Sequence, residues 1–418
     1  MNNQQPRSDS FDAACYEIRV QGLLSTDRYD WLESTILSFN KQQTVLLINL
    51  PDQSALYGLL KRIRDCGLPL LSIQRVSFNR CIPEEAYKTT MKAAITERYG
   101  NSDTVSIQKI PTPKPGPTEV LIKIKTTTVN SADWRIRSLN VPRGFGLLLR
   151  LAFGFSKPRK LVFGMELAGT IVCVGEDVDQ FDVGDEVIAF PGSKMGAHAE
   201  YIALDENSNI LHKPANMDWD AAAALCFGGT TAYDFLMNKG KLNAGERVLI
   251  NGASGTVGSA AIQIAKYYGA IVTAVCSADN AKLAYQLGAD NVVDYRTEDF
   301  TTLNQQWDII LDAVGNAAFS RVSHSLLPSG RLLMVVADLP QTLKSLLING
   351  KDNKRAIAGT AREEYGDLQQ LINLFTKGAF KPVIQQVLPF QDIRKAHAIL
   401  DHGHKRGSLV IQVDDDLN

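Results

Sequence analysis

The chain has 418 residues, a formal net charge of −1, 45% hydrophobic residues and 21% charged residues. That length exceeds one ordinary core and implies about two or three domains of globular composition. Near-neutral charge removes the electrostatic case for nucleic acid as a partner. The longest apolar run, GFGLLLRLAFGF at 144–155, contains Arg150 and is far too short for an integral membrane span.

Residues 1–14 are polar, lack the apolar core of a secretory signal, and read as a disordered tail. The six cysteines are scattered with no CxxC pair, which reads as reduced thiols in a cytoplasmic protein. Residues 15–86 then alternate between strand and helix patterns. YEIRVQG, QTVLLINL and LPLLSIQRV are strand-like, and QSALYGLLKRIRDCG sets Leu59, Leu60, Ile63 and Cys66 at helical spacing before Gly67. With a short helix or turn near STDRYDWLES, the expectation is a small α+β module, ferredoxin-like in outline. It holds no nucleophile, metal spacing or phosphate loop, so a docking role and a plain structural appendage both stand.

From 87 to 212 strand patterns dominate (EVLIKIKTTTV, ELAGTIVCVG, DEVIAF, AHAEYIAL), punctuated by glycine and proline as in a β-rich, partly barrel-like body. From 213 to 361 the rhythm changes. RVLING, IVTAVCS, NVVDY, WDIILDAV and RLLMVV alternate with helical segments, the pattern of a doubly wound parallel sheet, and KRAIAGT is placed to extend its edge. Residues 362–418 return to helix, PVIQQVLPF, helix and GSLVIQV, which reads as the chain going back to complete the first body.

Within the second body, INGASGTVG places Gly252, Gly255 and Gly258 directly after a strand and at the mouth of a helix. A tight turn, close backbone approach and close helix packing are what a pyrophosphate needs. The helix start, with Ser254, Thr256 and Val257 between the glycines, supplies the amide donors. An NAD-binding sheet carries an acid about twenty residues on. Here that place falls at Cys276-Ser277, and Asp279 comes only in the following loop. Hydroxyls and a cation suit a 2′-phosphate instead. Ser277, Lys282 and Tyr295, with Arg296 in reserve, therefore point to NADPH as the cofactor.

VNSADWRIRS (129–138), FGMELAGTIVCVG (163–175), VGDEVIAF (183–190), GGTTAY (228–233), RVLINGASGTVG (247–258), LGADNVVDY (287–295) and HKRGSLVIQV (404–413) together carry a resemblance. Over residues 91–413 the chain resembles the medium-chain dehydrogenase/reductase superfamily. Within it, the likeness is to the zinc-independent quinone oxidoreductase-like branch, close to reticulon-interacting, zeta-crystallin-like proteins. The resemblance implies a Rossmann cofactor sheet plus a GroES-like catalytic domain, and a homodimer through the edge of the cofactor sheet. Its zinc-using alcohol dehydrogenases bind metal through a Cys and a His, where this sequence has Asn130 and Met165. An amide and a thioether make no zinc site, and Cys226 alone is a small buried hydrophobe. The expectation is no metal and an electrophilic small-molecule substrate, a quinone or an α,β-unsaturated carbonyl.

The resemblance further implies that Asn130 and Asp133 line the cleft between nicotinamide and substrate, with Arg137 as a possible ion-pair partner of Asp133. It places Thr231 at the nicotinamide, Val314 and Gly315 near its ribose, backbone groups of the strand end Met334-Val335-Val336 at its carboxamide, and Arg406 and Gly407 where the C-terminal segment returns onto the cofactor. No general acid stands out, and His402-x-His404 reads as a loop. The insertion between Arg137 and Phe163 is apolar and roofs a pocket, leans on a membrane, or packs on the body. An enoyl-thioester reductase and an NADPH-binding scaffold remain alternative readings.

Overall fold

The computed structural model describes residues 14–22, 36–40, 43–50, 53–76, 89–346, 348, 351–403 and 405–414. The chain divides into two compact units, residues 1–88 and 89–418. The first unit holds β1 (Ala14–Gln21), β2 (Ile36–Asn40), β3 (Gln43–Leu50), α1 (Gln53–Asp65) and β4 (Leu70–Val76). Its sheet runs β2-β3-β1-β4 with every pair antiparallel, the strand order of a split, ferredoxin-like βαβ arrangement. The alternation in β1 explains its packing: Ile18 and Val20 are buried while Arg19 between them is exposed. Leu59 and Ile63, one turn apart on α1, close the core over Leu46 and Leu50. The sequence pattern did not reveal β2. The helix or turn expected near STDRYDWLES, and nearly all of the expected tail, lie outside the described residues.

The second unit opens with a hairpin of β5 (Thr90–Thr96) and β6 (Val105–Pro111), followed by β7 (Glu119–Val129), α2 (Ser131–Ser138) and α3 (Gly146–Phe153). Next come β8 (Leu167–Val174), β9 (Glu186–Ala189), β10 (Tyr201–Asp205), β11 (Ile210–His212), α4 (Trp219–Ala224) and α5 (Cys226–Tyr233). The cofactor-type half is β12 (Arg247–Asn251), α6 (Thr256–Tyr267), β13 (Ile271–Cys276), α7 (Ala278–Gln286), β14 (Asn291–Asp294) and β15 (Trp307–Asp312). It continues through α8 (Phe319–Val322), β16 (Leu326–Met334), α9 (Leu339–Ser345) and β17 (Arg355–Ala358). Its six strands are all parallel in the order β14-β13-β12-β15-β16-β17, the doubly wound order with the crossover beside β12. These strands read as unbroken apolar runs because helices cover both faces.

The chain then forms α10 (Tyr365–Thr376), β18 (Ile384–Pro389), α11 (Ile393–His402) and β19 (Ser408–Gln412). β19 pairs with β7 and carries β18, so the last strands join the sheet β11-β9-β8-β7-β19-β18 of the first half, with β10 also on β7. The boundary expected at 361–362 needs correcting. Leu368, Leu371 and Leu374 of α10 share a core with α5, α6 and the parallel sheet, so the return to the β-rich body comes only at β18.

Two smaller expectations change as well. Cys66, Cys226 and Cys276 are free thiols, but Cys173 is disulfide-bonded, so the all-thiol reading fails there. The apolar insertion contains α3, whose Leu149 and Phe153 pack against Ile136, Phe163 and Met195 while Leu147, Leu148 and Leu151 face outward. Among the described residues no helix is long and apolar enough to cross a membrane.

Candidate active site

The glycine turn sits between β12 and α6, at the carboxyl end of the central strand. Gly252 adopts φ +83°, a left-handed conformation that other residues resist, and its amide bonds Val275 O at 3.2 Å. Gly258 lets α6 close on the turn: a Cβ there would stand 2.2 Å from Gly252 O. Gly255 is different. It is extended, and a Cβ there would meet only Gly252 O at 3.5 Å, so nothing in the protein itself demands a glycine. The amides of Thr256, Val257 and Gly258 begin α6 and have no intrahelical acceptor. Bare backbone, free amides and a positive helix end together fit a pyrophosphate.

A strap from the C-terminal segment is sewn onto this turn. Gly407 N donates to Ser254 O at 2.9 Å, and Thr256 Oγ1 donates to Gly407 O at 2.7 Å. Arg406, expected at the cofactor, is exposed beside this contact, its amide held by Gln385 Oε1.

At the end of β13, Ser277 is buried and caps α7, and its Oγ accepts from Asn280 Nδ2 at 3.1 Å. Tyr295 is exposed at the end of β14 and its amide bonds Cys276 O. Lys282 is exposed on α7. Arg296 is not in reserve: it pairs with Asp279 at 3.1 Å, and the Tyr295 hydroxyl and that carboxylate hold it firmly charged. The acid that follows the strand end in sequence, Asp279, is thus already engaged by a cation.

Further along the same carboxyl edge, past the ends of β15 and β16, lies a cleft of about 330 Å³ bounded by Trp134, Arg135, Pro142, Gly315, Val336 and Asp338. Asp312, at the tip of β15, organises its wall by accepting from the amides of Val314, Gly315 and Ala317 and from Asn251 Nδ2. Val314 is half exposed there. Met334 ends β16, its side chain buried in the sheet between β15 and β17, and Val335 N is bound to Asp312 O. Val336, the last residue of the expected strand end, lines the cleft together with Ala337. Thr231 is buried on α5, its hydroxyl donating back to Phe227 O.

Asn130 and Asp133 form a reciprocal capping box at the start of α2. Asn130 Oδ1 accepts from the amides of Ala132 and Asp133, and Asp133 Oδ2 accepts from Asn130 N at 3.0 Å. Asp133 Oδ1 accepts from Gly164 N, and His198 Nε2 lies 3.9 Å from Oδ2 while donating to Thr128 O. Burial pushes the Asp133 carboxyl up despite that neighbour. The expected Asp133–Arg137 pair does not form. Arg137 is fully buried and bonds Asp401 Oδ1 at 2.5 Å and Gly100 O at 2.8 Å.

Two further members of this buried cluster were missed from sequence. Glu166 is buried, bonded by Thr128 Oγ1 and by Phe227 N, and burial lifts its carboxyl to about 7. Lys405 approaches from the strap; its Nζ is buried, and burial draws it down to about 8 against the charges of Glu166 and Asp133. An acid inside the apolar run FGMELAG was a legible signal for Glu166. Lys405 had no local signal. As zinc donors the set is poor: the Asn130 oxygen is spent on the cap, Met165 is a thioether, and burial followed by the Glu166 charge pushes the Cys226 thiol well up.

Residues 116–215 match the alcohol dehydrogenase GroES-like domain and residues 287–411 the family described as zinc-binding dehydrogenase. Residues 15–74 match a domain of unknown function. The chain is 32% identical over 378 residues to mitochondrial NAD(P)H oxidoreductase RTN4IP1 of Homo sapiens, covering 82% of this chain and 94% of that protein. It is 28% identical over 350 residues to the chloroplastic NADPH-dependent alkenal/one oxidoreductase of Arabidopsis thaliana, covering 80% and 82%. The quinone oxidoreductase structure from Coxiella burnetii superposes with a TM-score of 0.69 at 25% identity, over 78% of this chain and all of that one. With both domain types in chain order on the sheets described above, the chain belongs to the medium-chain dehydrogenase/reductase superfamily and is an oxidoreductase with a nicotinamide cofactor.

Proposed function

We propose that the chain is an NADPH-dependent, metal-free reductase of quinones and α,β-unsaturated carbonyls. The observation that carries this reading is the pairing of a strapped glycine turn with a buried cluster, at the start of α2, that offers polar donors and, among the described residues, no coherent metal-ligand set. Ser277 at the strand end and the prior engagement of Asp279 by Arg296 support the phosphorylated cofactor. In this reading the amides of Thr256, Val257 and Gly258 hold the pyrophosphate, and Val314 and Gly315 flank the nicotinamide ribose. Asp133 keeps α2 and Asn130 in position. The bound cofactor supplies a hydride; the chain supplies orientation, exclusion of water and a proton. Without a Lewis acid, the acceptor must already be electrophilic, which favours conjugated carbonyls.

The test is oxidation of NADPH and NADH, followed by absorbance, with a panel of quinones, alkenals and enoyl thioesters. Turnover of quinones or alkenals with NADPH preferred is the expected outcome. Preference for NADH removes the Ser277 argument, and efficient turnover confined to enoyl thioesters replaces the substrate class. A homodimer and cytoplasmic residence belong to the same proposal, and sedimentation and cell fractionation test them.

A further inference from the structure

The buried cluster around Asp133 and Glu166 contains a cation without a hydrogen-bond partner among the described residues. Lys405 is half-buried as a residue, but its Nζ is buried and has no hydrogen-bond acceptor. The charges facing it are Glu166, just before β8, and Asp133 on α2. Both carboxylates are already occupied: Glu166 by Thr128 Oγ1 and Phe227 N, Asp133 by Gly164 N and Asn130 N. A second donor in this cluster, Asn130 Nδ2, is also buried without an acceptor. Buried donors are almost always paired, and an unpaired ammonium is among the costliest groups to bury. Two orphan donors around one carboxylate pair therefore mark the place of an acceptor oxygen that comes from outside the protein.

We propose that Lys405 holds the carbonyl oxygen of the substrate, with Asn130 Nδ2 as second donor, and delivers the proton that completes its reduction. This rests on the chain's being a reductase of conjugated carbonyls. The bound cofactor gives the electrophilic carbon two electrons with one hydrogen, and the displaced π pair moves onto the oxygen. A new O–H bond forms as one Nζ–H bond of Lys405 breaks, and the neutral amine regains its proton from water. A quinone so reduced then loses the added ring hydrogen as a proton while its second oxygen gains one from water, and leaves as its hydroquinone. An enone leaves as an enol that tautomerises to the saturated carbonyl. Burial that brings Lys405 to about 8 keeps its acid form populated at neutral pH and eases the transfer. Its titratable surroundings are Glu166 and Asp133, then His198 beside Asp133, His397 edge-on to His198, and Cys226 beside Glu166.

The experiment compares the wild type with Lys405→Met and Lys405→Arg. With saturating NADPH and a fixed quinone, Lys405→Met is expected to lower kcat roughly a hundredfold, the size of a lost general acid. It should also erase a basic limb near pH 8 and leave NADPH affinity unchanged. The readout independent of turnover is absorbance-detected binding of anionic 2-hydroxy-1,4-naphthoquinone. Lys405→Met should weaken that binding about tenfold, equivalent to one lost hydrogen bond. Lys405→Arg should retain the binding but not the basic limb. The melting temperature of Lys405→Met should not fall, because the methionine removes an unpaired buried charge. Loss of NADPH affinity with kcat and probe binding intact would make Lys405 a cofactor ligand and overturn the proposal, as would a lower melting temperature with unchanged probe binding. A wild type inactive on every quinone and alkenal defeats the functional reading alone. Equal probe binding by wild type and Lys405→Met defeats this one.

Discussion

Gly255→Val is expected to abolish tight cofactor binding while the protein stays folded. Gly255 is extended, a conformation open to any residue, and a Cβ there finds only one ordinary contact at 3.5 Å. As an N-cap it loses about 1 kcal/mol or less on replacement by an apolar residue. The side chain would instead occupy the space over the first-turn amides of α6, where the phosphates belong. Hydrogen bonds to charged groups contribute about 1.5–3 kcal/mol each, so losing one or two lowers NADPH affinity roughly a hundredfold or more. Gly258→Ala should behave in the opposite way. Its Cβ would meet Gly252 O at 2.2 Å and the Ala253 Cα at 2.7 Å, so α6 or the turn must move. Overpacking of this kind costs about 1–3 kcal/mol. Calorimetric NADPH titration beside thermal melting separates the two: affinity without stability at 255, stability first at 258. Unfolding of Gly255→Val would show that this glycine serves the fold.

Asp401→Ala is expected to be the most destabilising single change in the catalytic half. Asp401 lies on the last turn of α11 and accepts from Arg137, from Trp134 Nε1 and from Ser102 N. Arg137 is fully buried, so removing its carboxylate leaves a charge without its partner, at about 3–5 kcal/mol, moderated by its bond to Gly100 O. The same carboxylate ties α11 to α2, and therefore fixes both the Asn130 cap and the start of the strap that carries Lys405 and Gly407. The pH dependence has a definite sign. Burial raises the Asp401 carboxyl, but the Arg137 bond, the Ser102 amide and the Arg137 charge outweigh it and hold it below its ordinary value. A group depressed on folding stabilises above its unfolded pKa of about 3.9 and loses that contribution as pH falls through the folded value. Wild type should therefore exceed Asp401→Ala by its full margin at neutral pH, and the margin should close in acid below about 4. Denaturant melts at several pH values check this; a margin constant into acid would contradict it.

The parallel sheet was legible because its strands are buried on both faces and spell out continuous apolar runs, and the turn between two of them names its own backbone needs. The capping role of Asn130 and Asp133 went unread, although its signal is local, two capping residues three positions apart at a helix start. What sequence could not show depends on contacts across hundreds of residues. Arg137 looked like a partner for Asp133 four positions away, yet it bonds Asp401, 264 positions on. Lys405 in HKRG looks like a surface lysine. Its meaning comes from a strap that turns inward beneath the glycine turn, where burial rather than spacing sets its chemistry. This cluster was therefore half read: Asn130 and Asp133 were named, its ionisable pair was not.

The central claim is reduction of conjugated carbonyls without a metal, and one measurement addresses it directly. Metal content is determined by mass spectrometry on protein exhaustively treated with chelator, and the NADPH-dependent turnover of a quinone is measured on the same sample. The account predicts far less than one equivalent of zinc and turnover equal to that of untreated protein. Loss of turnover on chelation, restored by stoichiometric zinc, would contradict it.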